Sequence, residues 1–171
     1  MIISPGRGYI FVHAPKTGGT SLALALEARA MRDDIMFGDT PKARKRRGRV
    51  DPARAAGLLW KHATLRDIDG LVNADDMNRM CVVTMVRNPW ARVLSYYTWL
   101  RYQQFAHPAV GLARTLSFAD FVAQSSVQAS LRAAPATHYV TDARGKMCGT
   151  LFVRLEHLAQ DLAPFEAHLG F

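Results

Sequence analysis

Lys16, Gly18 and Gly19, with the hydroxyls of Thr17, Thr20 and Ser21, fall within six consecutive residues. They stand in FVHAPKTGGTSLALAL, residues 11 to 26, where a β-type run passes through a proline and two glycines into an apolar helical run. Two adjacent glycines let a backbone turn tightly and come close to a ligand. The free N–H groups of a helix's first turn, together with its dipole, favour an anion. Thr20 or Ser21 is expected to cap that helix, and Lys16 adds a full positive charge. The stretch therefore predicts a phosphate cradle rather than an ordinary glycine-containing turn. It is not the ATPase loop, which needs GxxxxGK[ST] with lysine after the glycine. Here the lysine comes first, and no glycine stands five residues before Gly19.

A second anion site is expected in VVTMVRNPWARVLSYY, residues 82 to 97. The strand should end at Val86, leaving Arg87 at its carboxyl end, where open α/β sheets bind ligands. Asn88 suits an N-cap and Pro89 the first helical position. Ser95 lies seven residues past Asn88, about two turns on and on the same face. An arginine grips phosphate in bidentate fashion, and a serine adds a donor. Arg92 either joins them or pairs with a structural carboxylate. No aspartate suited to holding Mg²⁺ ends either strand, so the expected ligand is an anion bound without a metal.

Elements that could position these groups follow from the apolar runs. YIFV (9–12), LLWKH (58–62), CVVTMV (81–86) and TLFVRL (150–155) read as short strands, apolar on both faces as buried parallel strands are. Helices are expected from Thr20 to Arg32, Pro89 to Gln103, Phe118 to Ser125 and Glu156 to Leu169, with Ser117 and Asp120 forming a capping box. The first helix, LALALEARAM, is apolar nearly all round and should be buried. Strands alternating with helices predict an α/β domain of three layers around a mainly parallel central sheet. Residues 33 to 57 are polar and breaker-rich and read as a long loop with one helical turn.

Bulk properties narrow the class. A chain of 171 residues is expected to form one domain, and 49% apolar with 21% charged residues describes a globular chain. No apolar run is long enough to span a bilayer, and the N-terminus lacks the features of a signal peptide. Two cysteines, Cys81 and Cys148, make no disulfide framework, so a reducing, cytoplasmic setting is expected. Net charge is +8, carried by 17 arginines and 5 lysines, which points to anionic partners. The densest patch, KARKRRGR at 42–49, holds six basic residues in eight. It reads either as a solvated, mobile loop or as a docking strip for an acidic acceptor. Nothing interleaved with it suggests nucleic acid.

FVHAPKTGGTSL and VRNPWARVLSYY, in that order, resemble the 5′-phosphosulfate and 3′-phosphate motifs of sulfotransferases that use 3′-phosphoadenosine 5′-phosphosulfate (PAPS). The resemblance is to the carbohydrate-type sulfotransferase family 2, which includes the heparan 2-O-sulfotransferases, and HYVTDARGKMCGTLFVRLEHLAQDL (138–162) resembles that family's later part. It implies a P-loop-like fold, no metal, and transfer of a sulfuryl group from PAPS to a hydroxyl of a carbohydrate or glycan acceptor. By this resemblance Lys16, Thr17, Gly18, Gly19, Thr20 and Ser21 hold the phosphosulfate, and Arg87 and Ser95 the 3′-phosphate. A histidine ahead of the 3′-phosphate motif is the base in similar chains. That implies His62, with His13 in reserve and Glu27, deep in the first helix, less well placed. Family members usually continue past the point matching FEAHLGF, so this sequence reads as a short member, a fragment or a partner-dependent form. Two rival readings remain at this stage: a small-molecule kinase on a P-loop fold, and a non-catalytic polyanion-binding module using 42–49.

Overall fold

YIFV and CVVTMV pair side by side in parallel, and this single pairing sets the position of everything that follows. The computed structural model describes residues 1–171. Its sheet contains β1 (Ile2–Ser4), β2 (Tyr9–Val12), β3 (Ile35–Met36), β4 (Cys81–Val86) and β5 (Leu151–Arg154), in the spatial order β3-β1-β2-β4-β5. Around it lie α1 (Gly19–Ala28), α2 (Pro41–Arg46), α3 (Ala74–Arg79), α4 (Pro89–Arg101), α5 (Pro108–Thr115), α6 (Phe118–Ala123), α7 (Ser125–Ala133), α8 (Ala136–Tyr139) and α9 (Leu158–Leu169).

The fold is α/β, but the sheet is mixed rather than mainly parallel. β2–β4 and β4–β5 are parallel, whereas β1 pairs antiparallel with both β2 and β3. The physical reason lies in residues 4 to 9. Pro5 begins a turn closed by Gly8, whose φ of 62° suits a glycine, and the chain folds back on itself as a hairpin. An apolar run as short as Ile2–Ser4 carries no strand signal until β2 is there to pair with it.

A second correction concerns LLWKH, which forms no strand. Leu58 and Trp60 are 71% and 46% exposed, and the chain turns at once, with the Ala63 N–H bonded to the Trp60 carbonyl. Trp60, Lys61 and His62 line a cavity and Leu59 packs against the core, so the run's apolarity does not mark the inside of a sheet.

Strand alternation builds two cores. Ile10 and Val12 face Ile3, Val82, Leu65, Ile68, Met77 of α3 and Tyr139 of α8. Tyr9 and Phe11 face the other way, toward Leu22 and Leu26 of α1, Val83, Met85 and Phe165 of α9. Phe165 meets the Tyr9 ring edge-on at 5.2 Å, a geometry that suits the ring quadrupoles. A third core joins Tyr97 and Leu100 of α4 to Val110, Ala113, Phe121 and Val127 of α5, α6 and α7. Burying a side chain the size of Phe121 is worth roughly 2 kcal/mol or more, so α4 is anchored from its outer side.

The expected helices appear with trimmed ends, and a 3-10 turn over Leu155–His157 precedes α9. Ser117 Oγ accepts the Asp120 N–H, as a capping residue should. α1 is not apolar-buried all round. Leu22, Ala23, Leu26 and Glu27 are buried on one side, while Leu24 is 48% exposed.

Segment 33–57 holds β3, α2 and two 3-10 turns rather than one helical turn in a loop. Its basic stretch has structural work. Lys42 donates to the Glu27 carbonyl, Arg46 to those of Met31 and Asp34, and Arg49 to that of Arg32. These cations gather at the carbonyl-rich end of α1, which attracts positive charge. Arg44, Lys45 and Arg47 remain exposed.

Candidate functional site

Because β2 and β4 run parallel as neighbours, the loop after β2 and the residue after β4 emerge at the same sheet edge. Thr84 Oγ1 donates to the Val12 carbonyl at 2.8 Å and ties the two strand ends together. A cavity of about 640 Å³ opens there. Lys16, Gly18, Gly19, Thr20, Ser21, His62, Arg87 and Ser95 all line it.

The loop is shaped for a ligand. Lys16 has φ 64°, the one non-glycine residue at positive φ. Holding an ordinary residue there costs on the order of 1 kcal/mol or more, and such strain gathers at functional sites. Gly18, at φ 84°, is the N-cap of α1, and no side chain caps that helix. The expected caps, Thr20 and Ser21, do not act as such. First-turn N–H groups left without side-chain acceptors suit an anion. Gly19 is required by close packing, since a Cβ there would stand 2.3 Å from the His13 ring. Thr17 departs from expectation. It is buried and donates its hydroxyl to the Ala14 carbonyl at 2.8 Å, so its side chain holds the loop instead of facing the cavity.

At the second junction, Asn88 Oδ1 accepts the N–H groups of Trp90 and Ala91, and Pro89 opens α4, as the sequence predicts. Glu156, from the turn after β5, accepts the Asn88 N–H at 2.8 Å. Arg92 joins neither an anion site nor a carboxylate. It donates to the carbonyls of Pro15 and Ala134 and so braces the lysine loop against α4. The Ser95 hydroxyl makes no hydrogen bond within the protein, and Ser95 lines the cavity together with Arg87.

The electrostatics are one-sided. Lys16, Lys61 and Arg87 line the cavity, and no aspartate or glutamate does. The Lys16 ammonium lies 5.2 Å from the centre of the Trp99 indole and has no carboxylate partner. Burial holds its pKa below the usual lysine value, and the charges of Arg87 and Lys61 lower it further. Lys61 is paired with Asp39 at 2.9 Å, whereas Lys16 and Arg87 have no ion-pair partner, and an anion placed between those two relieves both.

His62 reaches the cavity although LLWKH is not a strand. Its ring meets that of His13 at 4.7 Å, and its Nδ1 lies 2.7 Å from the His13 carbonyl oxygen. A carbonyl can only accept, so Nδ1 carries the proton and Nε2 of the neutral ring keeps its lone pair. Burial lowers the His62 pKa to about 4, against a partial rise from the His13 carbonyl; burial and the His62 charge bring His13 to about 3. Both rings are therefore neutral at pH 7. From pH 6.5 down toward 4, the unfolded chain takes up protons that the folded chain refuses, so stability falls with acidification. Above 6.5 neither state binds them and this contribution is flat. Denaturant midpoints measured from pH 7 to 4 are expected to fall more shallowly in His62→Gln than in the parent.

Trp60, Lys61, Tyr96 and Trp99 also line the cavity and escape the sequence reading. Two signals are available in retrospect: Trp60 and Lys61 adjoin His62, and Trp99 stands one helical turn beyond Ser95. Glu27 lies outside this cavity and lines a neighbouring one. Cys81 and Cys148 are unpaired, and no helix is long and apolar enough to cross a membrane.

Compared with protein-family models, curated proteins and solved structures, the chain matches none.

Proposed function

We propose that this protein is a sulfotransferase that moves a sulfuryl group from PAPS to a hydroxyl of an acceptor. The observation that carries this reading is the single cavity that Lys16, the glycine turn, Arg87 and Ser95 line together, with cations and no carboxylate on its wall. The kinase sites on such folds hold Mg²⁺ with an aspartate beside a hydroxyl or amide, and this lining offers hydroxyls but no carboxylate. A P-loop-like, three-layer likeness belongs to the same proposal and rests on β2, the glycine turn, α1 and β4.

Residue roles follow from position. The loop from Lys16 to Ser21 would hold the 5′-phosphosulfate through main-chain N–H groups, with the Thr20 and Ser21 hydroxyls beside them; Thr17 contributes main chain only. Arg87 and Ser95 would hold the 3′-phosphate. The faces of Trp99 and Trp60 offer surfaces for a base or an acceptor to stack against. When bound, PAPS supplies a sulfuryl group whose S–O bond to the 5′-phosphate breaks as the acceptor oxygen bonds to sulfur. His62 takes the acceptor's proton at Nε2. Lys16 stabilises the negative charge left on the 5′-phosphate oxygen, and does so most as that charge develops. The low pKa of His62 keeps the base unprotonated in the free protein, and a bound dianion raises its basicity.

Mass spectrometry of PAPS-fed reactions with a panel of hydroxylated acceptors tests the reading. A product heavier by one sulfuryl group, formed without added metal, is expected. Transfer from ATP–Mg²⁺ instead, with none from PAPS, would replace it with a kinase.

A further inference from the structure

A second cavity, of about 280 Å³, shares His13, Thr20 and Lys61 with the first. It adjoins the cationic site and differs from it in chemistry. Leu24, Ala23 and Phe37 give it an apolar wall, and Glu27 and Asp39 bring two carboxylates. Asp39 is paired with Lys61 at 2.9 Å. Glu27 is not paired: none of the three ion pairs in the structure includes it, although it is only 6% exposed. Thr40 donates to its Oε1, and its Oε2 has no hydrogen-bond partner. Lys42 spends its ammonium on the Glu27 main-chain carbonyl. The Met1 amine, also on this wall, donates to the carbonyls of Phe37 and Lys61.

The charge of Glu27 acts on the Met1 amine, but no cation lies within ion-pair distance, and a largely buried carboxylate seldom stays unpaired without a use. Leu24 lines the cavity and is 48% exposed, so it offers apolar surface there.

We infer that this second cavity receives the acceptor, and that the acceptor is a small alcohol with an apolar body and an amine that reaches Glu27. This rests on the sulfotransferase reading for the transfer step, but binding in the cavity does not depend on it. The apolar body lies against Leu24 and Phe37. The hydroxyl end points past His13 and Lys61 toward His62, where its proton is taken as its oxygen bonds to sulfur. At about 280 Å³ the cavity suits a compact molecule better than an extended polymer chain.

Three matched probes test this: 6-aminohexan-1-ol, hexane-1,6-diol and hexan-1-ol. Calorimetry without nucleotide is expected to show the amine bound at least about tenfold more tightly than hexan-1-ol, the effect of one charge-assisted hydrogen bond. Glu27→Gln keeps the Thr40 contact and is expected to erase that preference. Leu24→Trp, which fills the cavity from a half-exposed position, is expected to weaken all three. Binding of 3′-phosphoadenosine 5′-phosphate, measured separately, is expected to be unchanged in both variants. Equal affinity of the three probes for the parent, or an amine preference that survives Glu27→Gln, overturns the inference. Sulfation of an oligosaccharide but not of the aminohexanol overturns it too, while leaving the sulfotransferase reading intact. Failure of the nucleotide to bind sinks that reading, and the probe affinities still decide the cavity.

Discussion

Lys16→Ala is expected to lower turnover by roughly two to three orders of magnitude, with donor affinity changed by less than about tenfold. The asymmetry follows from where charge appears. On the proposed reading the bound phosphosulfate's charge is spread over several oxygens and met by the main-chain N–H groups of the glycine turn. As the S–O bond breaks, charge concentrates on the one oxygen that an ammonium beside the loop can meet. In the free protein this ammonium rests over Trp99 with no carboxylate partner, and neighbouring cations already depress its pKa. Nothing inside the protein competes for it. Single-turnover rates set beside nucleotide affinities separate the two effects. Equal losses in both, or parent-like turnover, remove the leaving-group role.

His62→Ala is expected to cost about 10²- to 10⁴-fold in turnover, the usual range for a general base, and to leave 3′-phosphoadenosine 5′-phosphate binding nearly intact. Its Nδ1 is committed to the His13 carbonyl at 2.7 Å, which fixes the ring and frees Nε2. Added imidazole should restore part of the lost rate by supplying the missing acceptor for the proton. His13→Ala is the comparison. His13 packs against Gly19, stacks at 5.9 Å on Phe11 and lines both cavities, so its removal should disturb donor binding as well as rate. Full activity in His62→Ala with a selective loss of turnover in His13→Ala would transfer the role to His13.

The parts of the site legible in the sequence are those fixed by local chemistry. Gly18 and Gly19 announce a backbone that must turn and pack closely. Asn88 and Pro89 announce a helix start, which in turn places Arg87 at a strand end. Strands β2 and β4 are dense in buried apolar residues and declare themselves. What escapes is set by distant partners. β1 and β3 exist because β2 pairs with β1 and β1 with β3, and residues this few cannot signal a strand alone. Trp60 looks like a strand residue because apolarity does not distinguish the inside of a sheet from the wall of a cavity, and Leu58 looks like one although it is 71% exposed. The caps fail in an instructive way. Thr20 and Ser21 suit capping by type, yet the structure gives the N-cap to Gly18 and leaves both hydroxyls on the cavity wall. One missed helix had a readable start: Pro108 opens α5, and the preceding His107 accepts the Ala109 N–H.

The most direct test of a single nucleotide spanning both junctions is a two-by-two comparison. Calorimetry would measure 3′-phosphoadenosine 5′-phosphate and adenosine 5′-phosphate against the parent and against Arg87→Ala. In the parent, loss of the 3′-phosphate is expected to weaken binding by at least about tenfold, as for a charge-assisted contact. In Arg87→Ala the same loss is expected to cost almost nothing, because the partner is already gone. If both proteins discriminate equally between the two nucleotides, Arg87 does not read the 3′-phosphate and the shared cavity serves another ligand.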